Sequence, residues 1–343
     1  MRHRVLVCCA AGLCLAGLGT ISPASAQKPW TVPRMADGRP DLQGTWENNS
    51  ATPLERPAAF ANKPLLTDAE LADMKARAAR LFAPDSDAAF GDGFYLALLA
   101  NRNTAPFGTG SYSANWLPNR NIERRTSLIT DPPDGKLPPL TEAFTRARTA
   151  ALAARPRFSR GPEDMFVTDR CISYGIPDLF AAYMSLYRIT QTPGSVAIAM
   201  EKIHDVRIIP LDGRPHISPR IRHYVGDSRG RWDGDTLVVE TTNFHPNGNP
   251  MGGLFRFADE NLKLTERFTR TSADAMRYEF TVDDPTVWTR PWTAMVPWTQ
   301  ATGSIYEYAC HEGNYSIANM LSAARADERA ADQAERESTS RGR

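Results

Sequence analysis

Residues 231 to 298 alternate between apolar and polar side chains in several successive runs, each set off by turn residues. A period of two puts alternate side chains on opposite faces of an extended chain, so such a stretch is satisfied by strands that bury one face and expose the other. One run, 236–244, follows an Asp233-Gly234 turn. Two more, 262–269 and 276–282, flank a loop holding Ser272 and Asp274, and a fourth, 288–298, is heavy in Trp. The pattern predicts a β-meander and a mainly β chain.

The chain opens with Arg2 and Arg4, an apolar run over 5–21, and Ala24-Ser25-Ala26 before Gln27. This is the pattern of a secretory leader over 1–26, and it predicts a periplasmic or secreted product. Losing Arg2 and Arg4 turns a formal net charge of +1, from 40 basic and 39 acidic residues, into −1. Near neutrality gives no electrostatic footprint for nucleic acid. No later run is long and apolar enough to suggest stable membrane insertion. Of the five cysteines three lie in the leader, leaving Cys171 and Cys310 as an even pair in an oxidising compartment, which predicts a disulfide.

Residues 27–165 read as an extended Pro-rich arm, helices and an aromatic loop packed on a core. Thr67-Asp68-Ala69-Glu70 is a capping box opening a helix with Leu71, Met74, Ala78 and Leu81 on one face. Residues 85–120, with Phe90, Phe94, Tyr95, Phe107, Tyr112 and Trp116, form a candidate lid. A short strand over 125–130 meets the turn 131–135, and a second, surface helix follows over 141–155. The span 166–326 reads as the antiparallel core: a helical turn at 176–178, a hairpin over 186–201, a strand at 206–209, the meander, a last strand at 305–310, and a helix carrying Ile317, Met320, Leu321 and Ala324. Residues 327–343 are expected to be a polar tail, either a frayed helix or disordered.

Asp41-Leu42-Gln43-Gly44-Thr45-Trp46 resembles the Gly-x-Trp opening of the lipocalin and wider calycin families, in which the Trp closes one end of a β-barrel. The resemblance implies an antiparallel calycin-like barrel or strongly curved sheet with peripheral helices. A second resemblance covers nearly the whole chain after the leader. Arg125-Thr126-Ser127-Leu128-Ile129, Asp131-Pro132-Pro133-Asp134-Gly135, Gly234-Asp235-Thr236-Leu237-Val238-Val239-Glu240-Thr241, and Tyr306-Glu307-Tyr308-Ala309-Cys310-His311-Glu312-Gly313-Asn314-Tyr315 are similar to motifs of a family of uncharacterised secreted bacterial proteins. That likeness implies an exported β-rich protein and carries no catalytic assignment.

Chemistry is expected where polar residues interrupt an apolar face. Glu266 shares its face with Leu262, Leu264 and Phe268; Tyr278 with Met276 and Phe280; Arg290 with Trp288, Trp292, Val296 and Trp298. A buried carboxylate must be paired or protonated, so Glu266, Tyr278 and Arg290 are candidates for one interior polar cluster. As a site it would use Glu266 and Tyr278 for acid/base work, Arg290 to fix an anionic or carbonyl group, and Trp288, Trp292 and Trp298 as apolar area. Its structural counterpart is an ion pair that fixes register between strands. His311, beside Cys310 and Glu312, is a second acid/base candidate, balanced against a local hydrogen-bonding role. His204, Asp205, His216, His223 and His245 share one region without metal-site spacing, and no nucleophile elbow, phosphate loop or dinucleotide fingerprint is present, so neither metal nor cofactor is expected.

Two functions fit these features. One is a cofactor-independent enzyme, a lyase, hydratase, isomerase or hydrolase, acting on a small organic substrate in an aromatic-lined barrel mouth. The other is a non-catalytic carrier of an apolar or aromatic ligand.

Overall fold

A computed structural model describes residues 30–81, 120–179, 184–246 and 260–341. The expected leader over 1–26 and almost all of the expected aromatic lid over 85–120 lie outside the described residues. The chain divides into Met1–Thr31 and Val32–Arg343, and the second unit holds every element described here.

Ten strands form one antiparallel sheet: β1 (Gly44–Asn48), β2 (Ile129–Asp131), β3 (Leu186–Gln191), β4 (Ser195–Met200), β5 (Val206–Pro210), β6 (Asp227–Asp233), β7 (Thr236–Thr242), β8 (Lys263–Arg270), β9 (Ala275–Asp283) and β10 (Trp292–Gln300). Nine follow the order β5-β4-β3-β1-β10-β9-β8-β7-β6, and β2 adds to β10 at a bulge between Thr293 and Ala294. The two ends of this order, β5 and β6, lie against each other, so the sheet curls into a nearly closed barrel. Side chains seal the seam. Gly230 of β6 sits there because a Cβ would come within 2.7 Å of Leu211 and 2.8 Å of Ile209. A sheet with one solvated face and one face folded on itself satisfies the alternation read from the sequence.

That alternation is visible strand by strand. Leu264, Glu266 and Phe268 of β8, Met276, Tyr278, Phe280 and Val282 of β9, and Trp292, Ala294, Val296 and Trp298 of β10 are all buried. Register follows the meander: Phe268 faces Tyr278 across β8–β9, and Tyr278 faces Val296 across β9–β10. Trp46 of β1 is wholly buried, its indole N–H donating to Leu42 O at 2.9 Å. The Arg270 guanidinium lies 5.3 Å over its ring and donates to Asp41 O at 3.0 Å, so the Gly-x-Trp segment is clamped to the end of β8.

Among the described residues three α-helices lie outside the sheet. In α1 (Asp68–Leu81) the capping box forms as the sequence requires: Glu70 N donates to Thr67 Oγ1 at 3.3 Å, and Thr67 N to Glu70 Oε2 at 2.9 Å. Lys63 also pairs with Glu70, and these bonds hold its carboxyl at about 2. α2 (Glu142–Ala153), capped by Thr141, buries no residue, in line with a surface helix. α3 runs from Ser316 to Arg341. It does not end where apolar spacing stops: residues 327–341 are helical, the helical one of the two expected alternatives, because Ala, Arg, Glu and Gln are good helix formers and Gln333 bonds Glu337 one turn on at 3.0 Å.

Two further expectations fail on backbone grounds. Residues 305–310 form no strand, because β10 is already flanked by β1 and β9 while β5 and β6 face each other, which leaves no edge to receive it. The segment is held instead by Tyr306 N donating to Glu201 Oε1 at 3.1 Å and by the Cys171–Cys310 disulfide, with Cα atoms 5.8 Å apart. The helical turn expected to open at Ile176-Pro177-Asp178 shows no helix over 176–179, where the backbone runs irregularly and brings Asp178 to the barrel interior; 180–183 lie outside the described residues.

Candidate functional site

Glu266 is 1% exposed and paired with a residue the sequence did not nominate, Arg207 of β5, itself 4% exposed. Arg207 Nη1 donates to Oε1 at 3.0 Å and Nη2 to Oε2 at 2.5 Å, a bidentate fork across the barrel. Nη2 also reaches Ser228 Oγ at 3.1 Å and Thr241 Oγ1 at 3.3 Å, so this arginine ties β5 to β6, β7 and β8 at the seam. The Tyr278 hydroxyl donates to Glu266 Oε1 at 2.8 Å. Burial, then the neighbouring carboxylate, pushes that phenol well above its ordinary range. For Arg207, burial works against the charge, but the attraction and hydrogen bonds of Glu266, with Tyr278 and Asp205 beside it, together raise its pKa.

A second buried pair stands in the same region. Lys202 Nζ donates to Asp178 Oδ2 at 2.8 Å, with the two side chains 2% and 1% exposed. Tyr187 OH donates to the same oxygen at 3.1 Å, and its pKa too is raised well above the usual value, chiefly by burial. The Tyr174 ring lies 4.6 Å from the Lys202 ammonium. Asn48 Nδ2 donates to Asp178 O at 3.0 Å and anchors the backbone there.

Trp298 joins the two pairs. Its ring stacks on Tyr187 at 4.3 Å and lies 4.8 Å from Tyr278, while Phe268 stacks on Tyr278 at 4.9 Å. Arg207, Glu266, Asp178, both tyrosines and Trp298 line one cavity of about 10 Å³, at the lower limit for a single water. Arg207 Nε, buried, makes no hydrogen bond among the described residues.

The expected cluster is therefore half assembled. Glu266 and Tyr278 meet inside the barrel, and Trp298 adjoins them. Arg290 does not: it is 49% exposed and pairs with Asp131 at 2.7 Å on the outside, because β10 starts at Trp292 and the alternation read back to Trp288 has no strand behind it. Trp288 and Trp292 are buried and meet edge to face at 5.9 Å. Trp292 lies six positions along the strand from Trp298, about 20 Å at the usual rise, so Trp288 and Trp292 pack the other end of the barrel. His311 is exposed in the segment after Cys310 and is not among the residues lining the cavity.

Arg207, Asp178 and Lys202 were missed for different reasons. β5 carries apolar residues on both faces, Val206 and Ile208 outward and Ile209 inward, so its period does not reveal which way Arg207 points. Asp178 and Lys202 lie in irregular segments where alternation gives no signal; the turn after β4 places Ile203 and His204 in the left-handed region, at φ 51° and 47°. Among the described residues, no group of three or more His, Cys, Asp or Glu side chains is arranged to hold a metal ion. His216 bonds Asp227 Oδ2 at 2.8 Å, and His223 and His245 are joined through their backbones.

Fold and site together define a nearly closed antiparallel β-barrel with an ionic and aromatic interior. Comparison with protein-family models, with curated proteins and with solved structures gave no match.

Proposed function

We propose that this is an exported carrier that binds a small planar ligand bearing an acceptor oxygen, at the end of the barrel where Tyr187, Trp298 and Tyr278 meet. The observation that carries this reading is the aromatic stack beside the unengaged Arg207 Nε: flat apolar surface and one buried donor, the combination that orients a small guest. The ionic interior supports it as well. Buried ion pairs contribute little to stability compared with well-packed apolar residues, so the Arg207–Glu266 pair at the wall of the cavity points to recognition rather than to packing. The bond between Cys171 and Cys310 fits an oxidising compartment.

The acid/base enzyme fits less well. A general base needs a lone pair directed at its substrate. Both Glu266 oxygens instead accept from Arg207 or Tyr278, and Asp178 Oδ2 accepts from Lys202 and Tyr187. A cavity of about 10 Å³ admits a ligand only when the Trp298 stack moves, so tryptophan emission is the natural readout. Titration with acetophenone and 4-hydroxybenzoate should change that emission saturably, and Trp298→Leu should weaken binding about fivefold, from the loss of about 1 kcal/mol of aromatic stacking. Conversion of a bound aromatic carbonyl compound to product, lost in Glu266→Gln, would return the enzyme reading to first place.

A further inference from the structure

The Lys202–Asp178 pair is built unlike the other fully buried ion pair among the described residues. The carboxylate of Glu266 is engaged by a fork of two guanidinium nitrogens, whereas Asp178 meets a primary amine 2.8 Å away, both side chains all but inaccessible. An amine and a carboxyl held in contact without water are the two halves of an amide. We propose that Lys202 and Asp178 condense into an intramolecular isopeptide bond that locks the β3–β4 hairpin to the segment carrying Cys171.

Each reactant is held in place. Asp178 is fixed at its backbone by Asn48 and at Oδ2 by Tyr187. Lys202 is directed inward by the left-handed turn at Ile203 and His204 and covered by the Tyr174 ring. Tyr174 is itself held, since its N–H and the Ser173 hydroxyl both donate to Asp205 Oδ2, at 3.1 and 2.8 Å. Fixing two reactants at contact distance replaces the concentration and orientation that a bimolecular condensation lacks.

The burial also supplies a driving force. Keeping an ammonium and a carboxylate out of water is costly, and burial lowers the pKa of Lys202 toward the neutral, nucleophilic amine. The reaction needs no co-reactant. One proton passes from the ammonium to the carboxylate, giving amine and acid. The Nζ lone pair then forms a bond to Asp178 Cγ, a second proton moves from Nζ to Oδ2, and the Cγ–Oδ2 bond breaks to release water. The three protons of the ammonium end as one on the amide nitrogen and two on the departing water. Tyr187, donating to Oδ2, stabilises charge on the leaving oxygen, and two buried charges become one neutral amide.

Mass spectrometry of the reduced, denatured full chain tests this without any variant. The expected species is one water lighter than its sequence, and trypsin should yield a branched product joining peptides 171–188 and 189–207, with no cut after Lys202. Lys202→Arg, which keeps the charge but not the amine, should restore the full mass. A wild-type chain of full mass that trypsin cuts after Lys202 overturns the proposal, and so does a water loss that persists in Lys202→Arg.

Discussion

Replacing Arg207 by Met removes the cation from a carboxylate that is 1% exposed while keeping most of the apolar stem. Two charge-assisted bonds to Glu266 disappear, along with the contacts to Ser228 and Thr241 that cross the seam. Leaving one partner of a buried pair uncompensated costs about 3–5 kcal/mol. That is about two to three and a half powers of ten in the unfolding equilibrium. Replacing the whole cluster should cost far less, since an ion pair exchanged for apolar residues of similar volume is often neutral or stabilising. Tyr278 must be included, because its hydroxyl would otherwise lose its acceptor at about 1–3 kcal/mol. Urea unfolding of the disulfide-intact protein, followed by tryptophan emission, should show a large fall in midpoint for Arg207→Met. The triple variant Arg207→Met, Glu266→Leu, Tyr278→Phe should recover most of it, at an unchanged slope. A single variant within about 1 kcal/mol of wild type, or a triple variant less stable than the single, would refute the reasoning.

Other perturbations have definite signs. Glu47 has its pKa raised, first by burial and then by Glu201, so its charged form is disfavoured in the fold. Its contribution is fully present below the ordinary glutamate pKa and is lost as pH rises through the raised value, so Glu47→Gln should raise Tm at pH 7 and lose that advantage in acid. Tyr187 and Tyr278 are both raised well above 10.0, so their contribution is present below that value and lost at higher pH; tyrosinate absorbance should leave two phenols silent until the barrel unfolds. The disulfide spans 139 residues, and removing it with Cys171→Ser and Cys310→Ser should cost about 4–5 kcal/mol in the chain-entropy account, read from the urea midpoint.

The barrel was legible where period and burial agree. The meander runs became β7 to β10 because each strand has one solvated and one interior face, and Glu266 and Tyr278 stood out as polar residues on the interior one. What sequence periodicity does not carry is where a strand stops or what closes it. Alternation continued past the start of β10 places Arg290 inside, where no strand exists to hold it, and the apolar spacing of 305–310 suits a strand for which the closed sheet has no edge. The partner of Glu266 comes from β5, 59 residues away and at the opposite end of the strand order, a contact that exists only because the sheet curls on itself. Lys202 and Asp178 are brought together by irregular backbone, which no period encodes.

Native mass spectrometry of the protein, purified without denaturation, tests the carrier reading most directly. The wild type should hold a small aromatic molecule that is released on unfolding, and Trp298→Leu, equally folded, should be largely empty. A wild-type protein that is empty as purified, and whose tryptophan emission ignores acetophenone and 4-hydroxybenzoate, would contradict it.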